Sequence, residues 1–424
     1  MGLTITEKIF SDHNQSEARA GEIVRVSVDM TIGNDITTPL SIRAFEGAGA
    51  TALANPEGFA ICMDHFIPAK DISSANQARI SRNFAAKHNL PYFFDEKEMG
   101  IEHAILPEKG LISPGDVIIG ADSHTCTHGA LGAFATGMGS TDLAFTMMTG
   151  KNWFKIPSSI RVELTGKPAK HIYGKDLILE VISRLGVSGA AYKTLEFCGS
   201  ALEHLNMDDR FSLCNMAIEA GAKSGIVAHD QITAEFLRHA PPKRKPRIFA
   251  SDADAEYDAW LIIDTAAMEP IVAFPFLPEN KHTISDAARQ AIGIDQVFIG
   301  SCTNGRLGDL RIAAAILKGR KVAKRTRLII TPATQKIALA AQREGLYEIF
   351  AEAGATVSNP TCGACLGGYM GILGDGEKCV STSNRNFVGR MGAKSSELYL
   401  ANTAVAAASA IAGEIADPRS VDYV

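Results

Sequence analysis

The sequence predicts an α/β protein in which parallel and mixed sheets are connected by crossover helices. The first observation is a repeated order of β-branched run, loop of small polar residues and helical stretch, which occurs at residues 117–137, 297–317 and 327–346. Strands that alternate with helices in this way are typical of parallel sheets. The second observation is size, because 424 residues exceed what one hydrophobic core usually supports. We therefore expect two or three domains.

The domain organisation follows from breaks in this pattern, taken in chain order. A Lys155-Ile156-Pro157 break precedes the strand-like segment IRVELTGK, so a second unit is expected to begin there. A third unit is expected ahead of the strand that carries Cys302. We therefore predict domains at residues 1–157, 158–276 and 277–424. The basic stretch APPKRKPR, at residues 240–247, is interpreted as a solvated loop inside the second unit.

Composition and charge limit the expected partners and location. The net charge of -5 and the pI near 6.1 give no global basic field, so nucleic acid is not an expected partner. The segment ANTAVAAASAIAG is too short and too alanine-rich to span a bilayer, so no membrane partner is expected. Eight cysteines are spread along a chain whose first residues, MGLTITEKIF, do not resemble a secretory leader. Reduced thiols and a cytoplasmic location are therefore expected.

A glycine-crowded C-x-x-C motif, NPTCGACLGG, separates Cys362 and Cys365 by two residues. Such a pair is compatible with a zinc half-site, a redox pair or part of an iron-sulfur site, and spacing alone does not choose between them. A structural zinc site often closes with a second C-x-x-C pair, which the sequence lacks. The glycines favour a loop that is pressed closely against another group.

A third thiol, Cys302, lies in IGSCTNG at the end of another predicted strand. Three thiolates and one free corner would make a catalytic cluster, because an iron without a thiolate can act as a Lewis acid. The alternative is that Cys302, Cys362 and Cys365 are unrelated small buried residues. The residues alone leave these two interpretations evenly balanced.

Candidate acid-base residues lie in loops of the first unit. They are Asp64 and His65 in MDHFIP, His103 in GIEH, and Asp122, Ser123 and His124 in GADSHT. A neighbouring carboxylate fixes the tautomer of a histidine and raises its basicity, as general acid catalysis requires. Adjacent residues on a strand point to opposite faces, so these pairs are expected in turns. One such pair is usually structural, but several in one unit favour catalysis.

Two further pairs are weaker indications of a site. In CNMAIEAGA, Asn215 and Glu219 are four positions apart and are expected on one face of a helix, although a solvated or capping glutamate is the simpler interpretation. Arg385 and Arg390 flank a glycine-containing turn, where fixed guanidinium groups would suit a small dicarboxylate or tricarboxylate. Surface salt bridges are the alternative role for these arginines.

Together these segments resemble the aconitase superfamily, and within it the large subunits of the two-subunit 3-isopropylmalate dehydratases. The segments that carry the resemblance are DH, GADSHT, IGSCTNGR, NPTCGAC and SNRNFVGR. The resemblance implies three α/β domains around a 4Fe-4S cluster held by Cys302, Cys362 and Cys365. It also implies a hydro-lyase that isomerises 2-isopropylmalate and 3-isopropylmalate by dehydration and rehydration in leucine biosynthesis.

The resemblance implies roles for the site residues, position by position. Asp64 and His65 are similar to the pair that protonates the departing hydroxyl group, and His103 resembles another active-site histidine. Asn215 and Glu219 match the asparagine and glutamate that polarise the iron-bound hydroxyl or water. The last segment matches the cluster-contacting asparagine and the carboxylate-binding arginines of the family in Asn384, Arg385 and Arg390.

The segment GADSHT is similar to a hydrogen-bonded group near the iron-bound water, formed by Asp122, Ser123 and His124. One position departs from the family, because aconitases have a substrate-contacting glutamine where IGNDIT has Asn34 before Asp35. This departure weakens a citrate interpretation. Full-length aconitases also continue with a domain that supplies a serine base. We therefore expect a separate small subunit as partner and a small hydroxy-diacid as substrate.

Several alternatives remain open at this point. Homoaconitase and the 2,3-dimethylmalate or methylmalate dehydratase large subunits share the motifs and differ in substrate. A non-enzyme alternative is an RNA-binding regulator of the iron-responsive kind, which would need a fourth domain and fits poorly with the acidic charge. A bare structural zinc protein is the last alternative, and metal analysis would reveal it as zinc without labile sulfide.

Overall fold

The computed structural model describes residues 2–421, and parallel strands dominate its sheets. Within this range the strands are β1 Ile23–Ser27, β2 Met30–Asn34, β3 Phe59–Cys62, β4 Tyr92–Phe94, β5 Val117–Gly120, β6 Phe134–Gly137, β7 Lys151–Lys155, β8 Ser158–Thr165, β9 Lys193–Cys198, β10 Ser224–Val227, β11 Ala259–Asp264, β12 Ile271–Ala273, β13 Lys281–Thr283, β14 Gln296–Ile299, β15 Arg327–Ile330, β16 Thr356–Val357, β17 Lys378–Ser381 and β18 Glu397–Ala401.

Helices connect most of these strands. The α-helices of the described range are α1 Ile5–Asn14, α2 Thr38–Gly47, α3 Ile72–Lys87, α4 Glu102–Glu108, α5 Ser140–Thr149, α6 Gly174–Leu185, α7 Met207–Asn215, α8 Gln231–His239, α9 Ile284–Arg289, α10 Leu307–Leu317, α11 Gln335–Arg343, α12 Leu346–Ala353 and α13 Thr403–Ala412. Shorter 3₁₀-helices lie at Pro56–Gly58, Ser123–Leu131, Ser200–His204, Met216–Ala220, Thr265–Ala267, Gly363–Leu366 and Pro418–Ser420.

The first sheet is fully parallel and has the order β4-β3-β2-β5-β6. Its strands β2, β3 and β5 are buried along their whole length. Parallel strands that are covered on both faces read as continuous apolar runs, as VIIG in β5 does. The carboxyl ends of these strands meet at one edge of the sheet, where open α/β sheets bind ligands.

The second sheet, β10-β9-β8-β11, is also parallel throughout. The third sheet has the order β13-β12-β18-β17-β14-β15-β16 and is mixed, because β12 runs antiparallel to both β13 and β18. Strands β1 and β7 form a separate antiparallel pair. The predicted class, an α/β protein with parallel and mixed sheets joined by helices, is confirmed.

Two of the three predicted strand-loop-helix segments are present, and one differs. Strands β14 and β15 are followed by α10 and α11 as expected. Strand β5 is instead followed by a 3₁₀-helix, Ser123–Leu131, and then by β6. This segment packs tightly on β10, since a Cβ on Gly129 would lie 1.8 Å from the carbonyl oxygen of Gly225. The α-helix expected after β5 is therefore absent, and a 3₁₀-helix packed closely against β10 stands in its place.

The helix expected through Asn215 and Glu219 is also interrupted. Helix α7 ends at Asn215, and a 3₁₀-helix, Met216–Ala220, carries Glu219. The turn tightens ahead of Gly221, which has a φ of 86° and a left-handed conformation that favours glycine. The prediction of a single helical face for the two residues is therefore wrong.

The predicted domain boundaries fall close to changes of sheet. Strand β8, the first of the second sheet, begins at Ser158. Strand β12 precedes the boundary drawn after residue 276, although it belongs to the third sheet. The division into three domains stays a prediction.

The basic stretch at residues 240–247 lies against the first unit. The backbone N–H of Lys243 donates to the carbonyl oxygen of Gly110 at 2.8 Å, and Nη2 of Arg244 donates to that of Leu111 at 2.6 Å. The side chain of Arg244 also pairs with Asp116. The segment forms no helix or strand, and Pro241, Lys243, Lys245 and Pro246 are exposed, so the interpretation as a solvated loop agrees with the structure, although hydrogen bonds fix one side of the loop to the first unit.

The apolar core runs through all three sheets. The larger cluster contains residues of β2, β8 and β14 and extends to Cys362 and Cys365. The alanine-rich helix α13 is buried in a second cluster against the third sheet. Among the described residues, we find no helix with both the length and the apolar character needed to cross a membrane.

Candidate active site

The carboxyl ends of strands from the first and third sheets meet around one cavity. Residues that follow β3, β5, β14 and β17 line it, together with the start of α4 and the C-x-x-C loop. The lining residues are Asp64, His65, Ile101, Glu102, His103, Asp122, His124, Cys302, Cys362, Cys365, Asn384 and Arg390. The predicted position of Asp122 and Cys302 just beyond strand ends is thus confirmed.

Three thiols share this cavity and are buried. Nδ2 of Asn215 lies 3.1 Å from Sγ of Cys302, and Nδ2 of Asn384 lies 3.3 Å from the same sulfur. Burial, and then the neighbouring charge of Cys365, raises the pKa of the Cys302 thiol to about 12. Such a thiol is neutral until a bound metal displaces its proton. In residues 2–421, Cys302, Cys362 and Cys365 are the only cysteines that line the cavity.

Glycines bring the C-x-x-C loop close to its neighbours. Gly363 and Gly367 have φ values of 61° and 72°, in the left-handed region that favours glycine. A Cβ on Gly367 would lie 2.9 Å from the carbonyl oxygen of Arg390. On the other side, the backbone N–H of Cys362 donates to the carbonyl oxygen of Asp64 at 2.7 Å. The loop is therefore pressed against two site-forming loops, as its glycines predicted.

His65 is buried between two carboxylates. Its Nδ1 lies 2.7 Å from Oδ1 of Asp64 and 3.2 Å from Oδ1 of Asp35. Asp35 also accepts the backbone N–H groups of His65 and Phe66. Burial opposes a charged imidazole, but the two carboxylates outweigh it and raise the pKa of His65 well above its usual range. Because both carboxylates contact Nδ1, Nε2 is the nitrogen that can give a proton to a ligand.

Glu102 adds a third carboxyl group to this part of the cavity. Its backbone N–H donates to Oδ2 of Asp64 at 2.8 Å, and its Oε1 accepts from Nδ2 of Asn34 at 3.1 Å. Burial, together with the charges of Asp64 and Asp122, raises the pKa of Glu102 well above its usual range. Oδ1 of Asn34 accepts the backbone N–H of Thr37. Asn34 therefore stabilises its own turn through Thr37 and also fixes the position of the Glu102 side chain.

Asp122 contacts two histidines at the start of its 3₁₀-helix. Its Oδ1 accepts the backbone N–H of His124 at 2.7 Å and lies 3.0 Å from Nε2 of His103. Burial raises the pKa of Asp122, but hydrogen bonds with the two histidines hold it well below its usual range. Nδ1 of His103 lies 3.4 Å from Nε2 of His128. Burial and the charge of His103 keep the pKa of His128 well below its usual range.

His124 connects Asp122 to a buried glutamate and an arginine. Nε2 of His124 lies 2.8 Å from Oε1 of Glu219, and Nε of Arg385 donates to both oxygens of Glu219 at 2.8 and 3.0 Å. Burial opposes ionisation, yet His124 and Arg385 lower the pKa of Glu219. Glu219 is only 3% exposed, so a solvated glutamate is the wrong interpretation. A surface salt bridge is likewise wrong for Arg385.

The predicted site residues that do not line the cavity lie beside it. They are Ser123, Asn215, Glu219 and Arg385. Ser123 lines a neighbouring groove together with Asp122. Asn215 and Glu219 reach the lining through hydrogen bonds to Cys302 and His124, and Arg385 reaches it through Glu219. Arg390 does line the cavity, where its Nη2 lies 3.7 Å from Sγ of Cys365.

Sequence reasoning missed three residues in or near the site. Asp35 follows β2 as Asp64 follows β3, so the strand-end rule could have found it. Glu102 stands directly before His103, and that neighbouring acid was the available signal. Lys175 is fully buried and carries no local signal, because its role depends on contacts with distant parts of the chain.

Comparison with known proteins agrees with this geometry. A sequence model described as the aconitase family (aconitate hydratase) matches residues 7–413. The chain is 71% identical to the 3-isopropylmalate dehydratase large subunit of Campylobacter fetus subsp. fetus (strain 82-40), over 99% of this chain and 100% of that protein. It is 69% identical to the protein of the same name from Campylobacter curvus (strain 525.92), over 99% of this chain and 100% of that protein.

A third relative with the same name, from Wolinella succinogenes, is 68% identical over 99% of this chain and 100% of that protein. Among solved structures, that of Thermococcus kodakaraensis aconitase X in its holo-form aligns with a TM-score of 0.49 and 13% identity, over 90% of this chain and 89% of that chain. The family match and the sequence relatives extend over nearly the whole chain. The protein therefore belongs to the aconitase family.

Proposed function

We propose that this protein is the catalytic large subunit of a 3-isopropylmalate dehydratase, a hydro-lyase that interconverts 2-isopropylmalate and 3-isopropylmalate in leucine biosynthesis. The observation that carries the proposal is the 71% identity with a protein of that name along 99% of this chain. The cavity supports it chemically, since it combines His65, whose pKa is raised, with buried thiols and Arg390. Dehydration of a hydroxy-diacid needs an acid for the hydroxyl group and cations for the carboxylates.

We propose that Cys302, Cys362 and Cys365 hold a 4Fe-4S cluster. The donor set fits such a group, because three buried thiols line one cavity and thiolates are the usual ligands of these clusters. The side-chain amides of Asn215 and Asn384 donate toward the sulfur of Cys302, as groups around cluster sulfurs do. When bound, a cluster with three protein thiolates supplies a Lewis acid that polarises a substrate hydroxyl group.

His65 is the proposed general acid. Asp64 and Asp35 contact its Nδ1, which sets the tautomer and keeps the imidazolium populated at neutral pH. The proton on Nε2 can then pass to the departing hydroxyl group and return when water adds to the neighbouring carbon. Burial of the whole group excludes solvent water from this proton transfer.

The arginines are the proposed carboxylate-binding residues. Nε of Arg385 donates to Glu219, and within residues 2–421 its Nη groups have no hydrogen-bond partner and could bind a carboxylate in a fork. Arg390 lines the cavity beside Cys365. The hydrogen-bonded histidines His103 and His124 are proposed to orient the hydroxyl group and the returning water, because Asp122 fixes both rings.

We also propose that a separate small subunit completes the active site. Support comes from the relatives, which are named large subunits and align along 100% of their length. The substrate is proposed to be a small hydroxy-diacid, and nucleic acid and membrane are not proposed as partners. Eight free cysteines support a cytoplasmic location.

Metal and sulfide analysis tests the proposed cluster. Protein reconstituted without oxygen is expected to hold about four irons and four labile sulfides per chain, and brief oxidation is expected to remove one iron. Cys302→Ser should prevent stable assembly, whereas Cys198→Ser, a cysteine outside the cavity, should not. Zinc without labile sulfide, or four irons that survive oxidation, would contradict the proposal.

Reconstitution with a small subunit tests the reaction. The cluster-loaded chain alone is expected to be inactive, and a second chain of about 100–200 residues is expected to restore turnover. The assays use 2-isopropylmalate, 3-isopropylmalate, homoaconitate, dimethylmalate and citrate. Turnover of the isopropylmalates at the highest kcat/KM supports the proposal. Preference for another diacid would reassign the substrate, and substantial activity of the chain alone would exclude the need for a partner.

A further inference from the structure

Lys175 is a buried cation that the proposed reaction does not use. It is the second residue of α6, and its side chain is 0% exposed. Its Nζ donates to the carbonyl oxygens of Thr382 and Ser383, both at 2.8 Å, and to Oγ1 of Thr303 at 3.3 Å. Oγ1 of Thr303 in turn donates to the carbonyl oxygen of Thr382 at 2.7 Å. One ammonium group therefore joins two separate loops of the third sheet.

These two loops carry residues of the proposed cluster site. Thr303 directly follows Cys302, and Ser383 directly precedes Asn384. Nδ2 of Asn384 contacts the sulfur of Cys302, which closes the arrangement. Lys175 thus lies behind the thiol-bearing cavity and holds its two adjoining backbone segments together.

The surroundings of Lys175 are unfavourable for a positive charge. Full burial removes the ammonium from water. The first turn of a helix is the positive end of its dipole, which disfavours a cation there. Within residues 2–421, every hydrogen-bond acceptor of Lys175 is neutral: two carbonyls, a hydroxyl and the thioether of Met216. A negative charge that is not a directly paired carboxylate must therefore balance the ammonium.

The thiolates of the cavity are the anions best placed to do so. Cys302 directly precedes Thr303, whose hydroxyl accepts a hydrogen bond from Nζ, and Nδ2 of Asn384, next to Ser383, contacts the sulfur of Cys302. The buried carboxyl groups of Asp309 and Asp176 have their own hydrogen-bond donors in Thr403 and Asn402. Burial lowers the pKa of Lys175 to about 8. When a cluster is bound by the three thiolates, the site keeps a net negative charge. This charge lies on the side of the ammonium group of Lys175.

We propose that Lys175 is a positioning residue of the cluster site, which ties the loop after Cys302 to the loop before Asn384 and supplies the buried positive charge that balances the thiolate-bound cluster. This inference rests on the cluster of the proposed function. It assigns a task to a residue whose hydrogen bonds, within residues 2–421, do not include the thiol sulfurs of Cys302, Cys362 and Cys365.

The test compares Lys175→Met, which removes charge and donors, with Lys175→Gln, which removes the charge and keeps a donor. Both variants are reconstituted without oxygen, and the one-electron midpoint potential of the cluster is measured by EPR-monitored titration. Both potentials are expected to be lower than that of the wild type, because removing a nearby positive charge disfavours the added electron. Loss of iron to a chelator is expected to be about 10-fold faster.

Arg244→Met is the matched control. Arg244 is a part-buried cation paired with Asp116, which lies at the amino end of β5, away from the cavity at its carboxyl end. This variant removes a positive charge of the same size and is expected to leave the midpoint potential and the rate of iron loss unchanged. The thermal unfolding midpoint of each iron-free variant reports separately on stability.

The outcomes separate this inference from the proposed function. A wild-type chain without labile sulfide would overturn the cluster and the role of Lys175 together. A wild-type cluster with unchanged potential in Lys175→Met or Lys175→Gln would overturn only the role of Lys175. A lowered potential in both variants, with Arg244→Met unchanged, supports it. Failure to load a cluster in a variant whose iron-free form unfolds at the wild-type temperature also supports it.

Discussion

Two groups of residues in and behind the cavity lining share aspartate, glutamate and histidine but behave differently. The acidic side is formed by Asp35, Asp64, His65 and Glu102. The arginine side is formed by Asp122, His124, Glu219 and Arg385. On the acidic side, Asp35 and Asp64 contact the imidazole of His65, and Glu102 lies beside Asp64 with its Oε1 3.6 Å from Nε2 of His103. No arginine or lysine forms an ion pair with these carboxyl groups in residues 2–421. Burial, followed by the charges of Asp64 and Asp122, raises the pKa of Glu102 well above its usual range, and Asp64 and Asp35 raise the pKa of His65 well above its usual range against the effect of burial.

On the arginine side, carboxylates alternate with cations. Asp122 contacts His124, His124 contacts Glu219, and Glu219 contacts Arg385. Burial opposes the charged forms, yet the paired cations lower the pKa values of Asp122 and Glu219. Burial acts on the carboxyl groups of both sides, so the neighbouring charges decide whether the pKa of each one rises or falls. The acidic side holds protons that can be transferred, whereas the arginine side holds fixed charges that can bind an anion.

Replacing the proton donor of the acidic side should have the largest effect. His65→Ala is expected to lower kcat about 100- to 10,000-fold, because a general acid contributes that much to the rate. Iron and sulfide content should stay at the wild-type level. The control is His239→Ala, since the side chain of His239 is 79% exposed and pairs only with Glu235 among the described residues. If iron and sulfide content fell together with kcat, the result would show that His65 has a structural role and is not the general acid.

Removing a charge from the arginine side should come second. In Glu219→Gln, Arg385 and His124 lose the carboxylate that pairs them. Hydrogen bonds to charged groups contribute about 1.5–3 kcal/mol, so kcat/KM is expected to fall roughly 10- to 150-fold. Steady-state kinetics with the small subunit measures this effect. Kinetics equal to the wild type would show that the fixed-charge chain is not used in catalysis.

The pH dependence of stability distinguishes the two glutamates. The folded-state pKa of Glu102 is raised, so the folded state holds a proton that the unfolded state has lost above about pH 4.3. Stability of the wild type therefore falls as the pH rises from there toward the folded pKa, by up to about 1.4 kcal/mol per pH unit. Glu102→Gln has no carboxyl group at this position, so its stability does not fall with pH for this reason.

Thermal unfolding midpoints at pH 5 and pH 8 measure the difference. Glu102→Gln should gain stability relative to the wild type at the higher pH. Glu219→Gln should instead be less stable than the wild type by a similar amount at both pH values, because the pKa of Glu219 is lowered in the folded state and its contribution is already fully present above the unfolded value of about 4.3. The same sign for both variants would contradict the comparison of the two sides.

The smallest effect is expected on the activity of Glu102→Gln. The raised pKa of Glu102 favours its protonated form, which the uncharged glutamine resembles in shape, and the hydrogen bond from Asn34 is at risk. Such a bond contributes about 0.5–1.5 kcal/mol, so kcat/KM should change roughly two- to tenfold. A loss as large as that of Glu219→Gln would show that Glu102 works as a charged group.

Much of the fold could be predicted from local pattern. The alternation of apolar runs and helices marks parallel strands, and polar residues directly after such strands must lie at one sheet edge. Asp122 and Cys302 were found in this way, and β5 and β14 confirm it. The 3₁₀-helices after β5 and after α7 could not be predicted, because they accompany close packing at Gly129 and a left-handed Gly221.

By itself the sequence determined the strand ends, the thiol-bearing loops and the family resemblance, because each depends on residues that are adjacent in the chain. The tertiary structure was needed to show that Asp35 and Asp64 contact the same nitrogen of His65 and that burial and neighbouring charges raise the pKa of Glu102. It alone placed Lys175 behind Cys302. Burial and charge-charge distance set these properties, and both arise between segments that are far apart in the chain.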